Sequence, residues 1–300
     1  MKALLIAAVL VWSMSAMAEP QVAVTFDDLP SHGPLPAGQT RLAVAHEVID
    51  ALKAGGIPPT VGFVNASLSE KEPAAAPVLG LWHASGNLLG NHTFTHPGLS
   101  LTALADYEAD IVRNEPALAA AAGSTDWRWF RYPFIDEGKD AEQRAAVRSF
   151  LSARGYKIAT VTMGLNDWDY PAPYARCLAR NDTAAIAKLE AMYLKRAGEG
   201  LAYSRSLAAT VYGRDIPYIL LLHIGSFQAH MLPRLIALYK DRDVRFVSLE
   251  AAMKDPYYRA YGDPSLPAPP RDLEHIAAAK KLPVPPAPSG RNEVLDAICR

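Results

Sequence analysis

Residues 22–28 read Val-Ala-Val-Thr-Phe-Asp-Asp, an apolar run that stops abruptly at two carboxylates. A run of this length and composition is typical of a buried strand that delivers its last side chains to a pocket. Because adjacent residues of a strand point to opposite sides, Asp27 and Asp28 are predicted to have different roles. An acid pair after a strand is also common in turns and helix caps, so the pair alone is weak support for a catalytic site.

Two histidines stand four positions apart in a second segment, residues 90–97, which reads Gly-Asn-His-Thr-Phe-Thr-His-Pro. One helical turn or a tight loop can direct the imidazoles of His92 and His96 at one ion, and the following Pro97 and Gly98 limit any such helix to about one turn. Two imidazoles and one carboxylate leave an open position on a zinc-like ion, as in catalytic rather than structural sites. Water in that position would be activated by the metal, and the second acid could accept its proton.

These two segments resemble the first two motifs of the polysaccharide deacetylases of the NodB-homology type, carbohydrate esterase family 4. The resemblance implies that Asp27 is the catalytic base and that Asp28 is a metal ligand. It further implies that His92 and His96 are the two histidine ligands of one divalent ion. The ligand set favours zinc, although cobalt, nickel or manganese also suits it.

Residues 131–134, Arg-Tyr-Pro-Phe, are similar to the third motif of that family. The resemblance implies that Arg131 pairs with the base and that the aromatic part of the motif lines the substrate groove. A permanent positive charge there would fix the orientation of the carboxylate and tune its basicity. The implied substrate contacts are Tyr132, Pro133 and Phe134.

Two later segments resemble the fourth and fifth motifs. In residues 167–168, the resemblance implies that Asp167 orients the catalytic histidine and that Trp168 forms one wall of the site. In residues 221–223, Leu-Leu-His, the resemblance implies that Leu221 lines an acetyl-sized pocket and that His223 acts as general acid. Taken alone, each of these residues has a structural interpretation, such as a core tryptophan or a satisfied core histidine. The ordered appearance of five segments, each after a strand-like run, favours a site.

Two residues near the motifs stand apart from the resemblance. The fourth motif often begins with an Asp three residues before the Asp-Trp pair, and this chain has Gly164 there. We interpret the difference as a loop variation that alters substrate contacts rather than activity. His32 follows the acid pair in a loop and is a weaker candidate for the pocket, on the ground that such loops commonly carry function.

Strand-like and helical patterns alternate along the chain, which favours either a barrel or an open parallel sheet of the α/β class. The family resemblance implies a distorted seven-stranded (β/α) barrel within residues 19–254. Helical patterns at 184–196 and 201–212 predict an inserted helical hairpin within residues 169–217, near the rim of the site. Nine prolines after Asp255 predict a C-terminal extension, residues 255–300, packed on the same domain.

The first residues indicate export. Residues 1–18 have a lysine, an apolar run and small residues at Ala16 and Ala18, the form of a secretory signal peptide cleaved after Ala18. The run is shorter than the roughly 20 apolar residues that span a bilayer. We therefore expect a periplasmic or secreted protein with no membrane span after cleavage. In that setting Cys177 and Cys299 are disulfide candidates, with two unpaired thiols as the alternative.

The formal net charge of −1, without a basic tract, argues against nucleic acid as a partner and suits a neutral carbohydrate. The family resemblance implies that this carbohydrate is acetylated. The sequence thus predicts an exported metal-dependent hydrolase that removes acetyl groups, N-acetyl before O-acetyl. Chitin oligomers, peptidoglycan and exopolysaccharide are all candidate substrates. Two alternatives stay open: a catalytically inactive sugar-binding protein, and an amidohydrolase of the same broad fold that acts on small cyclic amides.

Overall fold

The computed structural model describes residues 19–288 and 293–300. The predicted signal peptide, residues 1–18, lies outside the described residues. Among the helices of the described part, none combines the length and the apolar character needed to cross a membrane.

The described residues form one parallel sheet. In chain order its strands are β1 (Gln21–Leu29), β2 (Val61–Val64), β3 (Leu88–Asn91), β4 (Trp129–Phe130), β5 (Lys157–Ile158), β6 (Met163–Gly164), β7 (Tyr218–His223) and β8 (Arg245–Phe246). Seven of them lie side by side in the order β5-β4-β3-β2-β1-β7-β6, and β8 pairs with the first residues of β1. The predicted α/β class and the barrel-like sheet of seven strands are confirmed.

The sheet must curl because two strands that are consecutive in the chain stand at its opposite edges. Residues 159–162 alone join β5 to β6, and a link of this length spans at most about 18 Å. Each end of the link continues a ladder, since the Ala159 N–H donates to the Phe130 carbonyl and the Thr162 N–H donates to the Ile219 carbonyl. The two edges therefore approach each other, as in a distorted barrel.

Helices alternate with the strands. They are α1 (Arg41–Gly55), α2 (Ser67–Lys71), α3 (Pro77–Ala84), α4 (Leu104–Ala122), α5 (Ala141–Ala153), α6 (Pro171–Ala179), α7 (Thr183–Tyr212), α8 (Ser226–Lys240), α9 (Leu249–Ala252), α10 (Arg259–Gly262), α11 (Leu273–Ala279) and α12 (Glu293–Ala297). α1 shows why these segments form helices: the Thr40 side chain caps its first turn, Gly56 ends it in the left-handed conformation, and Val44, Val48 and Leu52 bury one face.

The insertion contains two helices, α6 and α7, but their bounds differ from the predicted hairpin: α7 alone covers both segments predicted as separate helices, 184–196 and 201–212. α7 continues through Gly198 and Gly200, although a glycine inside a helix costs about 1 kcal/mol relative to alanine. The reason is tertiary packing. The buried face of α7 includes Tyr193, Gly200 and Leu207 and so continues across the glycines, and its burial offsets their low helix propensity.

The C-terminal extension is held against α5 by arginine side chains. Arg148 Nη2 donates to the carbonyls of Ala260 and Asp263, each at 2.7 Å. Arg144 donates to the carbonyl of Pro269. Backbone carbonyls of an irregular segment need such donors when they leave water, so these contacts fix the path of a proline-rich chain.

Cys177 of α6 and Cys299 near the C-terminus form a disulfide, with their Cα atoms 5.2 Å apart and 122 positions between them in sequence. We expect the double variant Cys177→Ser/Cys299→Ser to lose about 2–4 kcal/mol of unfolding free energy, because a bond across a long loop restricts the unfolded chain. Urea denaturation without reductant measures the difference. Reductant should weaken the wild type and leave the variant unchanged; equal midpoints of the two proteins without reductant would contradict the expectation.

Candidate active site

The five predicted segments meet at the carboxyl ends of the parallel strands. Side chains from the ends of β1 and β7, and from the loops after β3, β4 and β6, converge there because neighbouring parallel strands end on the same side of a sheet. The converging residues are Asp27, Asp28, His92, His96, Arg131, Asp167 and His223.

Both acids of the first motif face the same pocket, although adjacent strand residues were expected to point to opposite sides. Asp27 Oδ2 lies 3.6 Å from Nε2 of His92, and Asp28 Oδ1 lies 3.8 Å from the same nitrogen. The strand is irregular at this point: its pairing with β2 shifts register between Phe26 and Leu29, and Asp28 has a φ of 62°. The left-handed backbone turns the second carboxylate back beside the first.

Asp27 forms a buried ion pair with Arg131. Its Oδ1 accepts a hydrogen bond from Nη1 at 3.0 Å, and only 2% of Asp27 and 1% of Arg131 are exposed. The guanidinium also donates to the carbonyl of Ala159 and to the hydroxyl of Thr25, at 2.8 and 3.1 Å. Burial lowers the pKa of Arg131, and its partner Asp27 opposes that shift. The predicted pairing of arginine and acid is present, and a surface arginine is excluded.

Asp28, His92 and His96 bring three metal-ligating atoms within 4.8 Å of one another. Asp28 Oδ1 lies 3.5 Å from Nε2 of His96 and 3.8 Å from Nε2 of His92. Among the described residues this buried oxygen has no hydrogen-bond partner. A buried carboxylate oxygen without a donor, facing two ring nitrogens, fits a divalent cation, and the donor set suits zinc.

The protonation of the candidate ligands also suits a cation. His92 Nδ1 lies 2.8 Å from the Arg131 carbonyl, which accepts its proton and leaves the Nε2 lone pair for the pocket. Burial, and next the charge of His92, lower the pKa of His96 to about 4. Burial alone would raise the pKa of Asp28, but a hydrogen bond from His32 and the surrounding histidines hold it well below its usual range.

The two histidines lie on a tight loop rather than a helical turn, with left-handed φ angles of 65° at Thr93 and 64° at His96. Asp110 of α4 holds this loop through its Oδ2, which accepts from the Phe94 and Thr95 N–H groups at 2.9 and 2.8 Å. Asp110 was not predicted, because its only local signal is a polar residue on a helix.

His223 is paired with Asp167. Its Nδ1 lies 2.9 Å from Asp167 Oδ1, and its backbone N–H donates to Oδ2 at 2.7 Å. Burial alone would lower the pKa of His223, but the charge of Asp167 and the hydrogen bond to it raise that pKa to about 9. The imidazole is thus protonated near neutral pH, with Nε2 as the nitrogen not engaged by Asp167.

The predicted substrate-lining residues differ in exposure. Phe134 is 70% exposed, and its ring centroid lies 4.4 Å from that of His96; Trp168 is 38% exposed. Tyr132 is only 4% exposed because its ring packs edge-on against Phe130, and Pro133 is buried as well. The side chains of Tyr132 and Pro133 are therefore covered, and Phe134 and Trp168 are the exposed members of the predicted substrate wall. Leu221 is 8% exposed.

Gly164, where the fourth motif departs from the family pattern, lines a cavity of about 220 Å³ beside α7 and α11. A Cβ at this position would meet no atom of the described residues within 4 Å. The departure thus leaves space next to β6, which pairs with Leu221 of β7.

Residues 15–150 match the family model described as polysaccharide deacetylase, a stretch that contains the first three motifs. Among solved structures, the chain is similar to the chitin deacetylase from the fungal pathogen Colletotrichum lindemuthianum, with 21% identity over 80% of this chain and 91% of that chain and a TM-score of 0.54. It is similar to the Bc1960 peptidoglycan N-acetylglucosamine deacetylase, with 20% identity over 77% and 87% and a TM-score of 0.51.

A third similar structure is a mutant, with restored enzymatic activity, of BA3943, a CE4 family pseudoenzyme from Bacillus anthracis. It shares 16% identity over 79% of this chain and 69% of that chain, with a TM-score of 0.53. At these identities the structures show a common fold. The family match and the fold together support a polysaccharide deacetylase of the NodB-homology type, as the motifs predicted. Because a pseudoenzyme has the same fold, activity must be argued from the residues of this chain.

Proposed function

We propose that the protein is an exported metal-dependent deacetylase that hydrolyses acetyl groups on a carbohydrate, with N-acetyl groups as the first candidate. One observation carries this proposal: a buried acid, three side chains that could hold a metal ion, and a histidine paired with an aspartate share one pocket. A protein that only binds sugar has no need for an arginine-paired acid and an aspartate-paired histidine beside a candidate metal site. The Cys177–Cys299 bond suits the oxidising compartment that export implies.

In this mechanism a divalent ion held by Asp28, His92 and His96 would supply a Lewis acid for the water and the acetyl carbonyl. Asp27 accepts the proton of the attacking water at Oδ2, because Arg131 occupies Oδ1. The same ion pair fixes the direction in which the carboxylate points.

His223 then acts on the leaving group. It donates the Nε2 proton to the departing amine nitrogen, or to the sugar oxygen if the substrate is an ester. Asp167 holds the opposite ring nitrogen, so it sets the orientation of the ring and keeps it protonated. The two proton transfers thus fall to two separate groups, each held by a charged partner: Asp27 by Arg131 and His223 by Asp167.

Acetate release tests the proposal. We expect residues 19–300 to release acetate from at least one glycan in a panel of N-acetylated and O-acetylated oligosaccharides. Chelation should abolish the release and zinc should restore it, because the attacking water needs the Lewis acid. Zinc binding by the same protein is measured in parallel. Glycan and zinc binding without acetate release from any member would favour the sugar-binding alternative, and activity that survives chelation would exclude the mechanism.

The alkaline limb of the pH profile tests the role of His223. Its pKa is raised, so the protonated form persists at neutral pH and is lost as pH rises through about 9. We expect kcat/KM for acetate release to fall over the same range. Asp167→Asn removes the charge that raises the pKa, so the limb should move to lower pH.

A surface pair provides the control for that shift. Glu190 and His230 form an exposed carboxylate–histidine contact of 2.6 Å, and Glu190→Gln should leave the profile unchanged. An alkaline limb that stays in place in Asp167→Asn would show that another group titrates.

A further inference from the structure

We propose that His32 is a positioning residue of this site, which holds the Asp28 carboxylate in the orientation that binds the metal and so raises metal affinity. The inference rests on the proposed function. His32 lies outside the five motifs, in the loop that follows the acid pair.

The contact between His32 and Asp28 engages one oxygen of the Asp28 carboxylate and leaves the other for the metal. His32 Nδ1 lies 2.7 Å from Asp28 Oδ2 and donates to it. Oδ1 is left as the oxygen that faces the Nε2 atoms of His96 and His92, at 3.5 and 3.8 Å. Hydrogen bonds from a neighbouring group orient a ligating carboxylate in the same way in other metal sites. Without His32, rotation of the Asp28 carboxyl group would meet less resistance.

Contacts with three other segments hold the backbone of residues 32–33. The His32 N–H donates to the Ile224 carbonyl at 2.8 Å, just after β7. Arg41 of α1 donates to the Gly33 carbonyl at 2.8 Å. Gly33 has a φ of 66°, and a Cβ there would lie 2.7 Å from Cβ of Pro171 at the start of α6. The imidazole is therefore presented from a fixed backbone, as a positioning residue requires.

His32 also contacts the two motifs that carry the general acid. Its Nε2 lies 3.3 Å from the Trp168 carbonyl, and its ring centroid lies 4.7 Å from that of His223. One side chain thus connects the first, fourth and fifth motifs. This placement explains how the loop after the acids contributes to the site although the family motifs do not include it.

A different role for His32 would be direct metal ligation. Asp28, His32 and His223 also place three ligating atoms within 4.8 Å. The two roles differ in stoichiometry: a positioning residue predicts one ion per chain, whereas ligation through this second group predicts two. Positioning is favoured because both ring nitrogens of His32 have partners in the protein: Nδ1 lies 2.7 Å from Asp28 Oδ2, and Nε2 lies 3.3 Å from the Trp168 carbonyl.

Zinc binding to residues 19–300 tests the inference without any substrate. His32→Leu removes the donor, whereas His32→Asn keeps a donor at the position of Nδ1. We expect His32→Leu to weaken zinc binding by about 10–100-fold, as loss of a group that orients a ligand commonly does, and His32→Asn to recover most of that loss. Competition with a chelator of known affinity measures the constants. His46→Leu, at an exposed position of α1, is the matched control and should bind as the wild type does.

A purely structural role for His32 would lower the melting temperature of the metal-free protein without the difference between Leu and Asn in zinc affinity. That result would overturn the inference. So would equal zinc affinity of the wild type and His32→Leu, or two bound ions in the wild type and one in His32→Leu. Failure of the wild type to bind zinc would instead remove the proposed function, so the two failures are distinct.

Discussion

Asp27→Asn is expected to lower kcat for acetate release by about 10²–10⁴-fold, the range that a general base contributes. The amide cannot accept the proton of the attacking water, while the three metal-ligating side chains are unchanged. Zinc affinity should therefore remain within a few-fold of the wild type. Acetate release at saturating zinc, with zinc binding measured on the same preparation, gives both values.

The same variant should unfold more readily. Asp27 neutralises Arg131 in the interior, and removal of one partner of a buried ion pair commonly costs about 3–5 kcal/mol because the other charge is left uncompensated. Asp126→Asn is the control, since it breaks a half-exposed contact of 3.1 Å with Lys157 and should change neither activity nor stability appreciably. Full activity in Asp27→Asn would show that a group other than Asp27 is the base.

His96→Ala is expected to lower kcat/KM by at least about 10³-fold at limiting zinc, because a metal supplies several kcal/mol of transition-state stabilisation and each 1.36 kcal/mol is tenfold in rate. His96 is the more accessible of the two histidine ligands, with 26% of its side chain exposed against 1% for His92. Its replacement should therefore disturb folding least. Zinc titration and acetate release together show whether the lost activity follows the lost metal.

His275→Ala provides the comparison, since His275 is exposed and pairs with Asp272 rather than with any candidate metal ligand. It should retain both zinc affinity and turnover. If His96→Ala bound zinc as tightly as the wild type, the assignment of His96 as a ligand would be wrong, whatever the activity.

The motifs predicted the composition of the site because parallel strands collect the residues at their carboxyl ends. Asp27 and His92 could be placed near one pocket from their positions after strand-like runs, whereas His223 was placed there by the family resemblance. The fold class followed from the same alternation of strands and helices. These patterns specify which residues come together, because the grouping of residues depends on strand order and strand direction.

Orientation was less predictable, because it depends on single backbone angles and on tertiary packing. The φ of 62° at Asp28 brings two acids to one side of a strand, and residue type does not reveal it. Tyr132 was assigned to the substrate surface but is covered, because Phe130 packs against its ring. The break expected in α7 is absent, since its buried face continues across Gly200 and is fixed by packing against segments distant in sequence.

The long connection between β1 and β7 has a consequence for how the chain acquires its shape during synthesis. Thr25 of β1 donates its hydroxyl proton to the Leu220 carbonyl of β7, a residue 195 positions later. The central strand thus cannot complete its pairing until β7 has left the ribosome, and non-local pairing of this kind is slow. We expect chains stopped before residue 218 to be held by chaperones or degraded, with Asp27 and Asp28 assembled into a pocket only near the end of translation.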